Sequence, residues 1–148
     1  MAKQMIILRG IPGCGKSTWA NKFKDLALVF MANPLHVEIC SADDFFMVDG
    51  EYKFDPSRLP EVHGKCLEKA SEAARVDVDY IVIDNTNIQV WNFQSYLELA
   101  KDFGYEVRVI RFQCDPTVSF KRNLHGVPLA GIERMNSSWE DYPGEEIL

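Results

Sequence analysis

The sequence predicts an α/β fold, built on a four- or five-stranded parallel sheet with helices on both faces. Short apolar runs alternate with stretches whose apolar residues recur at helical spacing. The runs predict strands at residues 5–8, 35–40, 80–83 and 107–112. Parallel neighbours need crossover connections, and one helix between successive strands supplies each of them.

The helical stretches are amphipathic and have recognisable ends. They cover residues 19–31, 60–75, 90–104, 116–124 and 128–135. Asn33 and Pro34 stop the first, and Gly104 is suited to the C-terminal cap of the third. Residues 45–56 are predicted to be irregular.

Length and composition predict a single domain over residues 1–148. The chain is 47% hydrophobic and 26% charged, as in ordinary globular proteins. No window reaches the length of a membrane span, and the apolar run at residues 5–8 is too short for a signal peptide, so we expect a cytoplasmic protein without membrane contact. The four cysteines form no C-x-x-C pair, which argues against a zinc site or a disulfide framework.

The net charge of −6 argues against extensive contact with a nucleic-acid backbone, which usually requires a field of lysine and arginine. It does not argue against a short strand end. Two or three local cations suffice to hold one phosphate or one terminal hydroxyl.

A phosphate-binding loop lies between the first strand and the first helix. Gly10, Gly15, Lys16 and Ser17 match G-x-x-x-x-G-K-S in the context that this motif requires. Glycines let backbone N–H groups approach the phosphates, the lysine adds a cation, and the serine hydroxyl faces Mg²⁺. A glycine-rich loop with only a structural role would not require Lys16 and Ser17 after the glycines.

The motif therefore predicts a nucleoside triphosphate site, with ATP and Mg²⁺ as cofactors. The predicted nucleotide-binding residues are Gly10, Ile11, Pro12, Gly13, Cys14, Gly15, Lys16, Ser17 and Thr18. This loop makes the fold class a P-loop NTPase three-layer sandwich, to which residues 116–138 add a short C-terminal helical lid.

Acidic residues follow two of the predicted strands. Asp43 and Asp44 are candidates for the carboxylate that takes the proton of an acceptor hydroxyl, although such a pair can also cap a helix or lie in a solvated turn. Asp84 ends an apolar strand in the pattern of a Walker B carboxylate, so Ser17 and Asp84 are the predicted metal residues. Asn85, Thr86 and Asn87 either orient ligands or cap the next helix.

The lid segment carries cations that can neutralise a phosphoryl group in transfer. The candidates for this role are Lys121, Arg122 and His125, with Arg134 as a weaker one. We favour Arg122, and a solvated helix face is the alternative. His125 shows no metal-ligand spacing. The aromatic pairs Phe45–Phe46 and Trp139/Tyr142 either stack on a base or pack in the core.

Together these segments resemble the kinase domain of phage-type 5′-hydroxyl polynucleotide kinases and the related AAA-like predicted kinases. The resemblance rests on residues 10–20, 41–45, 83–87 and 121–123, of which the first segment is highly specific. It implies that Asp43 is the general base for the 5′-hydroxyl. That family has an arginine three residues further on, which grips the acceptor's phosphate, whereas this sequence has Phe46.

The resulting hypothesis is an ATP-dependent kinase that phosphorylates a nucleic-acid 5′-hydroxyl, with Lys16, Asp43 and Arg122 as catalytic residues. A kinase for small nucleotides or for hydroxymethylpyrimidine DNA is the enzymatic alternative. A binding module controlled by ATP, without chemistry, is the third. The acidic pair Asp43–Asp44 separates the kinases from the binding module, because a pure binding switch needs no acceptor base.

Overall fold

The computed structural model describes residues 2–29 and 35–148, in which a helix follows each of the first four strands of the main sheet along the chain, with a short hairpin inserted after the second of them. The strands are β1 (Gln4–Arg9), β2 (Val37–Cys40), β3 (Met47–Val48), β4 (Glu51–Tyr52), β5 (Tyr80–Asp84), β6 (Glu106–Arg111) and β7 (Glu146–Ile147). The helices are α1 (Lys16–Val29), α2 (Leu59–Arg75), α3 (Gln94–Phe103), α4 (Pro116–Arg122) and α5 (Leu129–Asn136). The predicted end of the first helix, at Asn33 and Pro34, lies outside the described residues.

Five strands form one parallel sheet in the order β2-β5-β1-β6-β7. The central strand β1 is buried from Met5 to Leu8, and its side chains alternate between the two faces. Met5 and Ile7 pack in one cluster with α2 and α3, whereas Ile6 and Leu8 pack in another with α1. The predicted α/β fold, with helices on both faces of the sheet, is therefore confirmed.

The segment predicted to be irregular contains more structure than expected. A 3₁₀ turn covers Ala42–Phe46, and β3 and β4 then form an antiparallel hairpin. Asp49 and Gly50 both have positive φ, as a two-residue hairpin turn requires. Each strand is only two residues long, which is too short for an alternating pattern to be visible in the sequence.

Several predicted boundaries shift by a few residues. The second strand begins at Val37 rather than at residue 35, and α4 ends at Arg122 because Asn123 is extended. Gly104 adopts the left-handed cap predicted for it, with φ 73°. Among the described residues, no helix combines the length and apolar character that a membrane crossing requires.

Candidate active site

A cleft of about 850 Å³ opens at the carboxyl edge of the sheet. The phosphate loop, Asp43, Asp84, Arg122 and His125 all line it. They reach one cleft because the carboxyl ends of parallel strands lie along the same edge. Four sequence segments, separated by the crossover helices, thus contribute to a single site.

The phosphate loop fits closely against its surroundings. Its first residue, Gly10, donates a backbone hydrogen bond to Thr86 O at 2.9 Å, which ties the loop to the segment after β5. Gly13 has φ 84°, and a Cβ there would lie 2.2 Å from Ser119 O on α4. A side chain at this position would therefore force the loop away from α4.

Lys16, near the end of the phosphate loop, is buried. Its ammonium Nζ donates to Gly10 O at 2.7 Å and to Ile11 O at 3.2 Å, which keeps the cation beside the backbone that would hold phosphates. Cys14 Sγ lies 3.6 Å from the same Nζ. Burial nevertheless raises the pKa of the Cys14 thiol, although Lys16 opposes the rise, so Cys14 stays neutral and supplies no anion.

Ser17 and Asp84, the two predicted metal residues, are in direct contact. Ser17 Oγ donates to Asp84 Oδ2 at 2.7 Å. The carboxylate is buried, and burial raises its pKa, while Lys16 opposes the rise. A hydroxyl and a carboxylate oxygen beside a phosphate loop are the ligands that Mg²⁺ prefers, so this donor set fits the predicted cation.

Replacing Asp84 by asparagine should stabilise the protein at pH 7. A raised pKa means that the folded state binds the proton more tightly than the unfolded one, so stability falls as the pH rises from the unfolded pKa to the folded one. Asparagine removes this penalty and can still accept the Ser17 hydrogen bond. The melting temperature of Asp84→Asn should exceed that of the wild type at pH 7, and the gap should narrow as the pH is lowered and close by about pH 4.

The matched control is Asp102→Asn on α3, where the carboxylate is exposed. This substitution should change the melting temperature little at either pH. If Asp84→Asn is less stable than the wild type at pH 7, the favourable contacts of the ionised carboxylate outweigh the cost of burying its charge.

Asp43 lies on the 3₁₀ turn, and its side chain is 48% exposed. The turn is anchored by Asn85, whose buried Oδ1 accepts a hydrogen bond from Ala42 N at 2.9 Å. Asn85 therefore orients the turn that carries Asp43. Asp44 follows on the same turn and is exposed, yet it also lines the cleft.

The remaining candidates divide into those at the cleft and those away from it. Arg122 is exposed at the end of α4 and lines the cleft, whereas Lys121 and Arg134 are not among the described residues that do. Phe46 is fully buried and packs edge-on against Tyr52, so it presents no face to a base. Trp139 stacks on the guanidinium of Arg111, 4.1 Å from the ring centroid.

Two side-chain contacts of Asp43 were not predicted. Tyr52 on β4 donates a hydrogen bond to Asp43 Oδ1 at 3.1 Å, and His125 Nε2 lies 3.8 Å from Asp43 Oδ2. Neither belongs to a spacing motif. Only the Asp49–Gly50 turn signal, which predicts the hairpin that carries Tyr52, could have drawn attention to the first.

The fold is that of the P-loop kinases. A putative kinase from Chloroflexus aurantiacus matches it with a TM-score of 0.71 over 100% of this chain and 87% of that one, at 17% identity. A chain of the Pnkp1/Rnl/Hen1 RNA repair complex gives 0.68 over 93% and 44%, at 18% identity. The APS kinase CysC of Mycobacterium tuberculosis, in complex with AMPPNP and APS, gives 0.66 over 99% and 88%, at 12% identity.

The chain belongs to the AAA_33 family, described as an AAA domain, whose model matches residues 5–125. Human NEDD4-binding protein 2 is 33% identical over 97% of this chain, and human YLP motif-containing protein 1 is 28% identical over 94%. The chain spans only 8% and 7% of the lengths of these two relatives.

Proposed function

We propose that this chain is an ATP-dependent phosphotransferase whose acceptor is a hydroxyl, with the 5′-hydroxyl of a nucleic-acid end as the leading candidate. One observation carries the proposal. The phosphate loop, the Ser17–Asp84 pair and the exposed carboxylate of Asp43 line the same cleft. A site that only bound ATP would need the first two and not the third.

Each residue then has a separate task. The phosphate loop, residues 10–18, holds the triphosphate with its backbone N–H groups, and Lys16 adds positive charge beside the β- and γ-phosphates. Ser17 and Asp84 would hold Mg²⁺, which would offset the charge of the phosphate oxygens. Residues 1–148 act as one kinase domain, with residues 116–138 as its lid.

The acceptor side depends on Asp43 and Arg122. Asp43 receives the proton of the acceptor hydroxyl as its oxygen attacks the γ-phosphorus and ADP leaves. Arg122, which lines the cleft at the end of α4, approaches the transferring group and stabilises its negative charge. The roles of both residues follow from their position and from the resemblance to polynucleotide kinases.

The net charge favours a nucleic-acid end over an extended strand, because a long strand needs many lysine and arginine contacts. The similarity in fold to a chain of an RNA repair complex is consistent with this acceptor class. The cytoplasmic location expected from the sequence remains a prediction.

A small-molecule acceptor is the second candidate, and the burial of Phe46 favours it. The polynucleotide kinases that the sequence resembles have an arginine at this position, whereas here a buried aromatic ring supplies no cation for an acceptor phosphate. The similarity in fold to an APS kinase is consistent with this alternative.

Transfer of labelled γ-phosphate to a panel of acceptors distinguishes these candidates. The panel contains 5′-hydroxyl DNA and RNA oligonucleotides, nucleosides and nucleotides, and hydroxymethylpyrimidine DNA, with a 5′-phosphorylated oligonucleotide as the matched negative acceptor. We expect label on the 5′-hydroxyl oligonucleotides and none on the 5′-phosphorylated one. Label on nucleosides or nucleotides alone would instead favour the small-molecule kinase.

The panel needs a variant that removes nucleotide-dependent chemistry without changing the rest of the chain. Lys16→Met should abolish labelling of every acceptor, whereas Lys101→Met, an exposed lysine on α3, should retain it. ATP binding without transfer to any acceptor would support the binding module and exclude the kinase.

A further inference from the structure

Both carboxylate oxygens of Asp43 face a side chain that lies outside the phosphate-loop motifs. Tyr52 Oη donates to Oδ1 at 3.1 Å, and His125 Nε2 lies 3.8 Å from Oδ2. Tyr52 comes from the hairpin, whereas His125 follows α4 in the lid segment. Their rings are also in contact with each other, with centroids 4.1 Å apart. Two segments far apart in sequence thus meet over one carboxylate.

The contact to Oδ1 is firmly held. Burial, and secondarily the charge of Asp43, raise the pKa of Tyr52, so its hydroxyl keeps its proton and can act as the donor. The ring packs edge-on against the buried ring of Phe46, with centroids 6.0 Å apart, and Tyr52 pairs with Met47 across the hairpin. The orientation of the carboxylate is thereby linked to the hydrophobic core.

The contact to Oδ2 is looser. A separation of 3.8 Å exceeds hydrogen-bond distance, and the side chains of His125 and Asp43 are 37% and 48% exposed. The backbone of this lid turn is fixed by Asn123, whose Oδ1 accepts a hydrogen bond from His125 N at 2.9 Å. The imidazole can therefore turn away while the backbone stays in place.

We propose that Tyr52 is the positioning residue that occupies Oδ1 of Asp43, and that the acceptor hydroxyl reaches Oδ2 by displacing the imidazole of His125. The proposal rests on the kinase function proposed above. In the transfer step the acceptor oxygen bonds to the γ-phosphorus, its proton passes to Oδ2, and the bond from the γ-phosphorus to the β–γ bridging oxygen breaks, releasing ADP.

Tyr52→Phe tests the first half of the proposal, because it keeps the ring contacts and removes only the hydroxyl. A carboxylate that is free to rotate is less often in the attacking geometry, so kcat should fall roughly 10- to 100-fold. The KM for ATP should not change, since Asp43 does not hold the triphosphate. An unchanged kcat would overturn the assignment.

The control for a general loss of stability is Tyr105→Phe. Tyr105 donates a buried hydrogen bond to Val78 O at 2.6 Å and does not line the cleft. This variant should lower the melting temperature without lowering kcat. A fall in kcat as large as that of Tyr52→Phe would mean that both changes act through the fold rather than through Asp43.

His125→Ala tests the second half. Without a competing imidazole the acceptor should bind more tightly, so its KM should fall about two- to fivefold, the range expected for the loss of one weak, solvent-exposed contact. A higher KM for the acceptor would overturn the displacement, because it would mean that His125 helps to bind the acceptor.

A readout that does not depend on activity separates this proposal from the kinase function. Shifts in melting temperature for Tyr52→Phe, Asp43→Ala and the double variant should be non-additive, because either substitution removes the same hydrogen bond. Additive shifts would refute the Tyr52–Asp43 contact. If the shifts are non-additive but the wild-type protein phosphorylates no acceptor, the Tyr52–Asp43 contact is supported and the kinase function is refuted.

Discussion

Replacing Asp43 by asparagine should reduce phosphoryl transfer by roughly 10²- to 10⁴-fold, the contribution usual for a positioned general base. Asparagine has nearly the same shape and can still accept the Tyr52 hydrogen bond, but it cannot take up the acceptor's proton. The affinity for ATP should change little, because the phosphate loop and the Ser17–Asp84 pair are untouched. The two quantities are measured as kcat at saturating ATP and as the calorimetric Kd for ATP.

Asp44 provides the matched control. It is the next residue on the same 3₁₀ turn, it is exposed, and it lines the same cleft. Asp44→Asn removes the same charge from nearly the same place. A loss of turnover that came only from the missing negative charge would therefore occur in both variants. Equal losses would therefore argue for an electrostatic role of the turn, and retained turnover in Asp43→Asn would exclude Asp43 as the base.

The sequence is most informative where a single local pattern determines the structure. The apolar strands and the glycine loop needed no information about distant parts of the chain. The proximity of Ser17 and Asp84 was also predictable, because parallel pairing places Leu8, one residue before the end of β1, beside Asp84 at the end of β5. The phosphate loop follows β1 directly, and Asp84 ends the neighbouring strand.

The acceptor side was less predictable, because its features depend on packing between distant segments. Phe46 was open to two interpretations in the sequence, and only the packing of the hairpin shows that it is buried. The contacts of Tyr52 and His125 with Asp43 span nine and 82 residues of sequence, respectively, and no periodicity relates them. The strand β7 has only two residues, too few for a pattern.

Arg9 is the clearest case of a residue whose role the sequence could not indicate. It ends β1 directly before the phosphate loop, and it is fully buried. Its guanidinium donates to Glu145 Oε1 at 2.7 Å and to the backbone carbonyls of Asn87, Ile88 and Glu140. It thereby ties the C-terminal segment and the loop after β5 to the strand that precedes the phosphate loop.

Arg9→Met should lower the free energy of unfolding by about 3–5 kcal/mol, because the buried carboxylate of Glu145 then keeps only the more distant guanidinium of Arg111, 3.6 Å away, as an ionic partner. Three backbone carbonyls also lose their donor, which places the expected loss towards the upper end of that range. Urea unfolding monitored by circular dichroism measures it.

The control is Arg75→Met on α2. Arg75 pairs with Glu72 at the same 2.7 Å, but both side chains are largely exposed, at 56% and 68%. Water replaces the lost contact there, so stability should change little. Similar losses in the two variants would mean that burial does not govern the strength of the Arg9–Glu145 pair. A large loss in Arg9→Met alone would mean that the fold depends on a buried ion pair between the C-terminal segment and the strand that precedes the phosphate loop.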